Sequence, residues 1–213
     1  MNRIIIFANG ELPDIKYART ILHEDDYLIC ADGGARHALA LGVKPHLIIG
    51  DMDSTTNETL KNFQQLGVEI EIYPRDKNET DLELAIARAV EHEPKEIIIV
   101  AALGGRMDQT LANIALLSNP YLVSRNVCLD DGAEEIFFVQ NQAQVRGRSG
   151  DIVSLIPWGE PVHGVQTQNL RWQLNSETLY PDKTRGISNE MISNVVSIKI
   201  ESGLLLVIHT RIL

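Results

Sequence analysis

Two carboxylates lie one residue apart in the segment Gly50-Asp51-Met52-Asp53-Ser54, directly after the apolar run of residues 47–49. A strand that ends at Gly50 leaves both acids in the loop at its carboxyl end, where α/β proteins place their ligands. Carboxylate oxygens suit a hard divalent cation such as Mg²⁺, which usually accompanies a substrate polyphosphate. The alternative is a solvated turn in which Ser54 or Thr55 caps the next helix.

The same pattern, an acid after a strand-like apolar run, recurs along the first part of the chain. The acids concerned are Asp32, Asp51, Asp53, Asp76, Asp81 and Asp108. Carboxyl ends of parallel strands meet at one edge of a sheet, so we expect these side chains to lie close together. Like charges gathered in one crevice repel each other, and a bound cation makes such a group tolerable. The recurrence predicts a site for a metal and an anionic substrate.

Each acid also has a purely structural interpretation. Asp81 could be a first-turn acid favoured by the helix dipole, Asp108 a helix-start acid, and Asp32 the acceptor of an Asx turn before Gly33. The neighbouring pairs Gly33-Gly34 and Gly104-Gly105 would let backbone N–H groups approach phosphate oxygens. Neither pair belongs to a Walker A loop or to G-x-G-x-x-G, so the usual nucleotide-binding loops are excluded.

The elements that must position these acids alternate between strand and helix over residues 1–132. Apolar runs at residues 4–8, 27–31, 47–49, 68–73 and 97–103 predict strands. Helices are predicted over about residues 14–23, from 35 to Gly42, over about 55–66, and through Leu117, and Thr80 begins another as the cap of a capping box. This order predicts an α/β domain with a mainly parallel sheet and helices on both faces.

Beyond residue 133 the pattern changes to strands separated by turns. Strand-like runs occur at residues 136–139, 151–156, 195–200 and 204–210, and no convincing helix is present. We therefore predict a second domain over residues 133–213, all-β and sandwich-like.

Composition restricts the function further. The formal charge of −10 and the lack of a basic stripe argue against nucleic-acid binding. The opening apolar run is too short for a signal peptide and no segment approaches a membrane span, so a cytoplasmic location is expected. Cys30 and Cys128 lie in strand-like runs without metal-ligand spacing, which predicts two buried thiols outside any disulfide.

Six short motifs, in this order, resemble those of the thiamine pyrophosphokinase family. They are Ala31-Asp32-Gly33-Gly34-Ala35, Gly50-Asp51-Met52-Asp53-Ser54, Thr80-Asp81 with Glu83, Gly104-Gly105-Arg106-Met107-Asp108-Gln109, Leu170-Arg171-Trp172-Gln173-Leu174 and Gly186-Ile187-Ser188-Asn189-Glu190. The resemblance spans nearly the whole chain. One departure is Asn78, where related bacterial sequences often carry Asp, and it leaves Asp81 as the better metal candidate.

The resemblance implies Mg²⁺-dependent transfer of a pyrophosphoryl group from ATP to the hydroxyethyl oxygen of thiamine, giving thiamine diphosphate and AMP. It also implies a nucleotide domain, a thiamine-binding and dimerisation domain, and a homodimer whose sites lie between subunits. The residues expected to be catalytic are Asp51, Asp53, Asp81 and Asp108, and the first three are expected to hold the metal. The expected ATP-binding residues are Asp32, Gly33, Gly34, Ser54, Lys77, Thr80 and Arg106.

Thiamine is expected to contact Trp172, Ser188 and Asn189. Thiazolium is cationic and the pyrimidine is flat, so an indole ring is a suitable partner. The sequence pattern alone favours the interpretation of Trp172 as a core residue. Its position in the family motif favours contact with thiamine instead. Trp158 lacks such support and is interpreted as structural.

Two other classes of function share some of these features. Another Mg²⁺-dependent pyrophosphokinase, for instance one acting on a pterin alcohol, or a nucleotide hydrolase would need the acids but not the Trp172 pocket. A non-catalytic thiamine or nucleotide sensor would need the pocket but tolerate loss of the acids.

Overall fold

The computed structural model describes residues 2–13 and 15–212. The chain divides into two compact units, the first Met1–Leu116 with Arg125–Gly132 and the second Leu117–Ser124 with Ala133–Leu213. No helix in the described part of the chain is long and apolar enough to cross a membrane.

The first unit is built on a parallel sheet. Its strands are β1 (Arg3–Phe7), β2 (Tyr27–Ala31), β3 (Leu47–Gly50), β4 (Glu69–Ile72), β5 (Glu96–Val100) and β6 (Asn126–Asp130). They lie in the order β6-β5-β1-β2-β3-β4, and every recorded pairing among them is parallel. The central strands are buried from end to end, which explains why they read as unbroken apolar runs. The predicted α/β class is confirmed.

Helices connect these strands. They are α1 (Ile15–Ile21), α2 (Ala35–Leu41), α3 (Asn57–Gln65), α4 (Asp81–Glu91) and α5 (Met107–Leu117). The predicted start of α1 at Asp14 lies outside the described residues. The left-handed residue Gly42 ends α2, and Thr80 caps α4 by accepting a hydrogen bond from the N–H of Glu83, both as predicted. The predicted strand to Leu103 is too long, because Ala101 has a φ of 58° and leaves the extended conformation.

The second unit contains a short helix α6 (Pro120–Val123) and two antiparallel groups of strands. Its strands are β7 (Glu134–Val139), β8 (Gln142–Arg146), β9 (Ile152–Pro157), β10 (Val162–Gln168), β11 (Glu177–Leu179), β12 (Asn189–Glu190), β13 (Val195–Lys199) and β14 (Leu205–Thr210). Their orders are β12-β9-β14-β7 and β11-β10-β13-β8. Side chains from both groups form one apolar core, including Val153, Val165, Val196 and Val207. The sandwich-like prediction is therefore confirmed.

The tryptophan and cysteine predictions have clear outcomes. Trp158 packs edge-on against Phe138 with the ring centroids 5.3 Å apart, as expected of a structural residue. Cys30 and Cys128 are buried and form no disulfide, which confirms that prediction.

Candidate functional site

A crevice of about 290 Å³ lies at the carboxyl edge of the parallel sheet in the first unit. Residues following β1, β2, β3, β4 and β5 all contribute to its lining. Along the sheet, β1 has β2 on one side and β5 on the other. The direction in which the chain adds strands therefore reverses between β1 and β5. A ligand crevice is expected at such a switch point.

Asp32 is the buried anchor of this crevice, with only 2% of the residue exposed. One carboxylate oxygen accepts a hydrogen bond of 3.0 Å from the N–H of Ser54, and the other accepts one of 2.9 Å from the hydroxyl of Thr55. Asp32 thus ties the end of β2 to the loop after β3. The Asx-turn interpretation is wrong, since its oxygens face the neighbouring loop instead of its own backbone.

The loop after β3 presents the paired acids. Carboxylate oxygens of Asp32, Asp51 and Asp53 lie within 4.8 Å of one another. Asp51 accepts a hydrogen bond of 3.1 Å from the N–H of Asp53, and the hydroxyl of Ser54 donates one of 3.0 Å to Asp53. The interpretation of Ser54 or Thr55 as the cap of α3 is wrong, because Thr56 caps that helix and accepts from the N–H of Thr59.

Asp81, the first residue of α4, reaches the same crevice from the loop after β4. Gly50 makes this approach possible, because a Cβ atom there would lie 2.9 Å from both the Asp32 side chain and the Asp81 carboxylate. The φ of Gly50 is 148°, which a residue with a side chain rarely adopts. The glycine that ends β3 is therefore what lets acids from three loops converge.

Lys77 is the cation closest to this convergence. Its ammonium nitrogen lies 2.9 Å from Asp81 Oδ1 and 3.7 Å from Asp51 Oδ2, and 11% of its side chain is exposed. Burial lowers the pKa of Lys77, but the hydrogen bond and charge of Asp81, together with Asp51, outweigh it and raise that pKa above its usual value. The ammonium therefore stays charged.

The donor set fits a hard divalent cation. Burial raises the pKa of the Asp81 carboxyl; Lys77 opposes this effect, and the charges of Asp51 and Asp32 add to it. Asp81 Oδ1 is buried and lacks a well-aligned hydrogen bond even though Lys77 is near. Four carboxylates lie beside one largely buried ammonium, and one carboxylate oxygen has no aligned donor. A bound Mg²⁺ would balance this excess of negative charge.

Asp108 and Arg106 do not join this group. The two side chains pair with each other, with Arg106 Nε 3.1 Å from Asp108 Oδ1, and more than half of each side chain is exposed. The hydrogen bond from Arg106 lowers the pKa of the Asp108 carboxyl. Asp76 and Asn78 are exposed as well. The strand-end pattern alone could not separate these residues from the converging acids.

The glycine pairs have different surroundings. Gly33 and Gly34 are buried. A Cβ atom on Gly33 would lie 2.2 Å from the Asn9 side chain, and one on Gly34 would lie 2.0 Å from the Phe7 carbonyl oxygen. Close packing on β1 therefore accounts for this pair. Gly104 and Gly105 have left-handed backbones with φ of 80° and 66° and are exposed.

Three polar residues of the crevice were not among the predicted site residues. They are Asn9, Gln109 and Asn113. Arg36 fixes the Asn9 loop by donating to the carbonyl oxygens of Asn9 and Gly10 at 2.9 Å and 2.7 Å. Asn9 follows β1 as the acids follow their strands, so an extension of the rule to amides would have found it.

A second depression, the tryptophan pocket, lies in the second unit. It measures about 280 Å³ and is lined by Trp172, Leu174, Thr184, Arg185, Gly186, Ile187 and Asn189. Trp172 is 52% exposed, so its interpretation as a core tryptophan is wrong. Buried Asn189 accepts from the N–H of Trp172 at 3.0 Å and donates to its carbonyl oxygen at 2.7 Å.

Two neighbours complete the description of this pocket. The guanidinium of Arg171 lies 5.0 Å from the centre of the Trp172 ring. Ser188 has a left-handed backbone with φ of 54° and donates its N–H to the Ser154 hydroxyl, and it is not part of the lining.

Comparison with known proteins assigns both units to related models. Residues 18–129 match the model described as thiamin pyrophosphokinase, catalytic domain, and residues 139–205 match thiamin pyrophosphokinase, vitamin B1 binding domain. The chain is 28% identical over 212 residues to thiamine pyrophosphokinase of Bacillus subtilis (strain 168), covering 99% of each chain. It is 27% identical over 232 residues to thiamine pyrophosphokinase 1 of Oryza sativa subsp. japonica, covering 97% of this chain and 87% of the relative.

Solved structures agree. The crystal structure of thiamine pyrophosphokinase from Bacillus subtilis superposes with a TM-score of 0.90 at 26% identity, and the alignment covers 100% of both chains. Thiamin pyrophosphokinase from Candida albicans has the same fold, with a TM-score of 0.81 at 14% identity over 98% of this chain and 89% of that one.

Proposed function

This chain belongs to the thiamin pyrophosphokinase family, and from that premise we propose how its own residues carry out the reaction. The enzyme transfers a pyrophosphoryl group from ATP to thiamine, giving thiamine diphosphate and AMP. The observation that supports the assignment of roles is the convergence of acids from three loops on one crevice. We propose that this crevice receives the triphosphate.

We assign the metal, as Mg²⁺, to Asp51, Asp53 and Asp81. When bound, the ion would neutralise charge that develops on the phosphates as AMP leaves. Asp32 positions the paired acids instead, because both of its oxygens already hold the loop after β3. The side chains of Asp51 and Asp53 need this support, since Met52 between them has a left-handed backbone with a φ of 62°.

The remaining ATP contacts follow from what each residue offers. Ser54 and Thr80 present hydroxyls in the crevice, and Lys77 presents an ammonium beside the acids. Arg106 sits at the start of α5, where its guanidinium pairs with exposed Asp108 and can exchange that partner for two phosphate oxygens. Gly33 and Gly34 keep the loop after β2 close to β1. Asp108 acts as a positioning residue, because it holds Arg106 until phosphate oxygens replace it.

Thiamine is assigned to the tryptophan pocket. The exposed face of Trp172 suits a cationic thiazolium, and the Arg171 guanidinium already near that ring means that thiamine must use the other face or displace Arg171. Asn189 holds the backbone of Trp172 in place by its two hydrogen bonds. Ser188, held in its left-handed turn, supplies a hydroxyl at the rim.

The alcohol of thiamine is a weak nucleophile, so the rate must come from in-line positioning and charge neutralisation. The direct test is incubation of the purified protein with ATP, Mg²⁺ and thiamine, followed by separation of the nucleotides. The expected products are AMP and thiamine diphosphate. Formation of ADP, AMP formation only with a pterin alcohol, or ATP hydrolysis independent of thiamine would contradict the assignment.

We also propose a homodimer formed through the outer face of β8, β10 and β13. The registers align Gln144, Ser197 and Gln168 in one row and Gln142, Lys199 and Gln166 in the next. These residues line a groove of about 550 Å³, and none of the described residues that line it is acidic. In a chain of formal charge −10, a face without acids avoids repulsion between copies.

Amides make such a face complementary to itself, because each carries both donors and an acceptor. Sedimentation of a Gln168→Glu, Ser197→Glu double variant is expected to show a monomer where the parent protein is a dimer. A control pair of acids on the exposed side of α3, at Lys61 and Gln64, should leave the dimer intact. A dimer that survives the face substitutions would contradict this location.

Within that dimer we place the tryptophan pocket of one protomer beside the acids of its partner. Mixing Asp53→Asn protein with Trp172→Ala protein tests this at a thiamine concentration far below the parent KM, where each variant alone retains about a tenth of the parent activity or less. Only a site shared between subunits is rebuilt in a mixed dimer. With random exchange, activity should return to roughly a quarter of the parent level, as half of the dimers carry one intact site of two. No recovery would show that each chain supplies its whole site.

The cytoplasm is the proposed location. It supplies ATP and Mg²⁺, and a reducing compartment is compatible with two buried cysteines that form no disulfide.

A further inference from the structure

We propose that Lys77 is an internal counter-ion of the metal site: its ammonium bridges Asp51 and Asp81 in the metal-free protein, and metal binding must displace it. This inference rests on the proposed assignment of the metal ligands. The inference gives Lys77 a second role besides its proposed contact with phosphate.

The geometry places the ammonium where it competes with a metal. Lys77 Nζ contacts carboxylate oxygens from two different loops, at 2.9 Å on Asp81 and 3.7 Å on Asp51. Both acids are mostly buried, with 25% and 13% of their side chains exposed, so their repulsion is poorly screened by water. A positive charge between them lowers the free energy of the empty site.

The bridge is nevertheless easy to break. Asp81 Oδ1 is buried and has no well-aligned hydrogen bond despite the short approach of Lys77. An ammonium is a point charge on a flexible four-carbon chain, so it can leave two carboxylates without any backbone change. A divalent ion offers twice the charge and fixed coordination directions, and it replaces the lysine at the acids.

Displacement has a consequence for ATP binding. An ammonium released from Asp51 and Asp81 remains at the crevice edge, attached to the loop before α4, where the polyphosphate would bind. Lys77 therefore weakens metal binding in the absence of nucleotide and strengthens it in its presence. Such coupling would favour entry of metal and nucleotide together.

The test compares Mn²⁺ binding by the full chain without nucleotide, measured by electron paramagnetic resonance of the free ion. Lys77→Met should bind Mn²⁺ roughly tenfold or more tightly than the parent, the size expected when one close charge is removed from a pair of acids. Arg75→Met is the matched control, because Arg75 lies 3.8 Å from Asp53 but is 82% exposed. That variant removes the same charge and should change the affinity by less than about threefold.

Equal affinity of the parent and Lys77→Met, an equal gain in both variants, or no Mn²⁺ binding in any of them would overturn the proposal. Circular dichroism and urea unfolding in EDTA check that Lys77→Met is folded. Because no ATP or thiamine is present, this result is independent of whether the protein forms AMP. Failure of the proposed function and failure of this inference are thus distinguishable.

Lysine accessibility gives a second measurement. Acetylation followed by mass spectrometry should find Lys77 protected in EDTA and modified several-fold faster with saturating Mg²⁺. Lys61, exposed on α3, serves as the internal reference and should not change. An unchanged rate at Lys77 would contradict displacement.

Discussion

The acid crevice, lined by Asp32, Asp53 and Asp81 with Asp51 beside them, and the tryptophan pocket are organised by opposite means. In the crevice, like charges are held together by loops with strained backbones, including the left-handed Met52. In the pocket, a neutral amide on Asn189 holds the Trp172 backbone from both sides, and the ring projects outward. On the proposed assignment, a cation would complete the crevice by balancing its acids, whereas the pocket is already formed around the Trp172 ring.

This difference predicts which substitutions affect activity and which affect stability. In the crevice, we expect the acids assigned to the metal to destabilise the metal-free protein by mutual repulsion, and Asp32, which holds the loop, to stabilise it. In the pocket, removal of the exposed ring should change affinity alone. The following substitutions test that division.

Asp53→Ala should have the largest effect. Turnover is expected to fall by about two orders of magnitude or more, the usual consequence of losing a group that stabilises transition-state charge. The free energy of unfolding should be unchanged or slightly higher in EDTA, because a half-exposed acid leaves a repulsive group. Steady-state kinetics and urea denaturation measure the two effects. An unchanged turnover would contradict the assignment of Asp53 as a metal ligand.

Asp32→Ala should lower both activity and stability. The change removes both carboxylate acceptors, so the N–H of Ser54 and the hydroxyl of Thr55 each lose a hydrogen-bond partner. A buried hydrogen bond lost in this way costs about 1–3 kcal/mol in the free energy of unfolding. Removal of the Asp32 charge also reduces repulsion among the acids, which opposes that loss of stability. The midpoint of urea unfolding in EDTA measures the net effect. A stability equal to that of Asp53→Ala would mean that Asp32 does not hold the loop.

Trp172→Ala should act on thiamine alone. Loss of the ring is expected to raise the KM for thiamine roughly tenfold, as for a cation resting on an aromatic face, while the KM for ATP stays within about twofold. Trp158→Phe is the control, since that ring packs on Phe138 away from the lining of the pocket. Parallel losses for both substrates would indicate a structural tryptophan.

The smallest effect should come from His209, a buried residue outside both sites. Its Nε2 lies 3.1 Å from Asp151 and its Nδ1 lies 3.4 Å from Glu135, with Arg211 also near. Burial lowers the pKa of His209, yet the hydrogen bonds to Glu135 and Asp151 outweigh burial and the charge of Arg211, and the net pKa is raised above 6.5.

A raised pKa in the folded state fixes the sign of the pH dependence. The imidazolium contributes stability that is complete below pH 6.5, the usual histidine value, and is lost as the pH rises through the folded-state pKa. Urea unfolding across this range should detect the decline, and His209→Gln should abolish it. A slope that persists in the variant would assign the effect to another group.

Much of the fold follows from local sequence patterns. Alternating apolar runs and capped helices located β1 to β5 and the helices of the first unit, since buried parallel strands must be apolar throughout. Strands β8 and β10 were not predicted, because their outward positions carry glutamines and no long apolar run marks them. Packing of their inward-facing side chains, and not intrinsic strand propensity, therefore accounts for these two strands.

The site was less predictable than the fold. Asp51 lies in the loop after β3, and Asp81 and Asp108 lie at the starts of α4 and α5. Of these three, Asp51 and Asp81 converge with Asp32, and Asp108 does not. Packing around Gly50 brings Asp81 inward, and the contact with Arg106 keeps Asp108 outside. Neither effect can be predicted from the spacing of residues in the sequence. The exposure of Trp172 likewise depends on Asn189, which lies 17 residues away.

The order of apolar runs, glycines and acids by itself determined the fold class and the presence of acids at the strand ends, because strand direction and side-chain alternation are properties of the local chain. The tertiary structure alone decided which acids meet, where Lys77 lies between them and which tryptophan faces outward. These outcomes depend on distances between loops that are far apart in sequence, and only the packed sheet sets those distances.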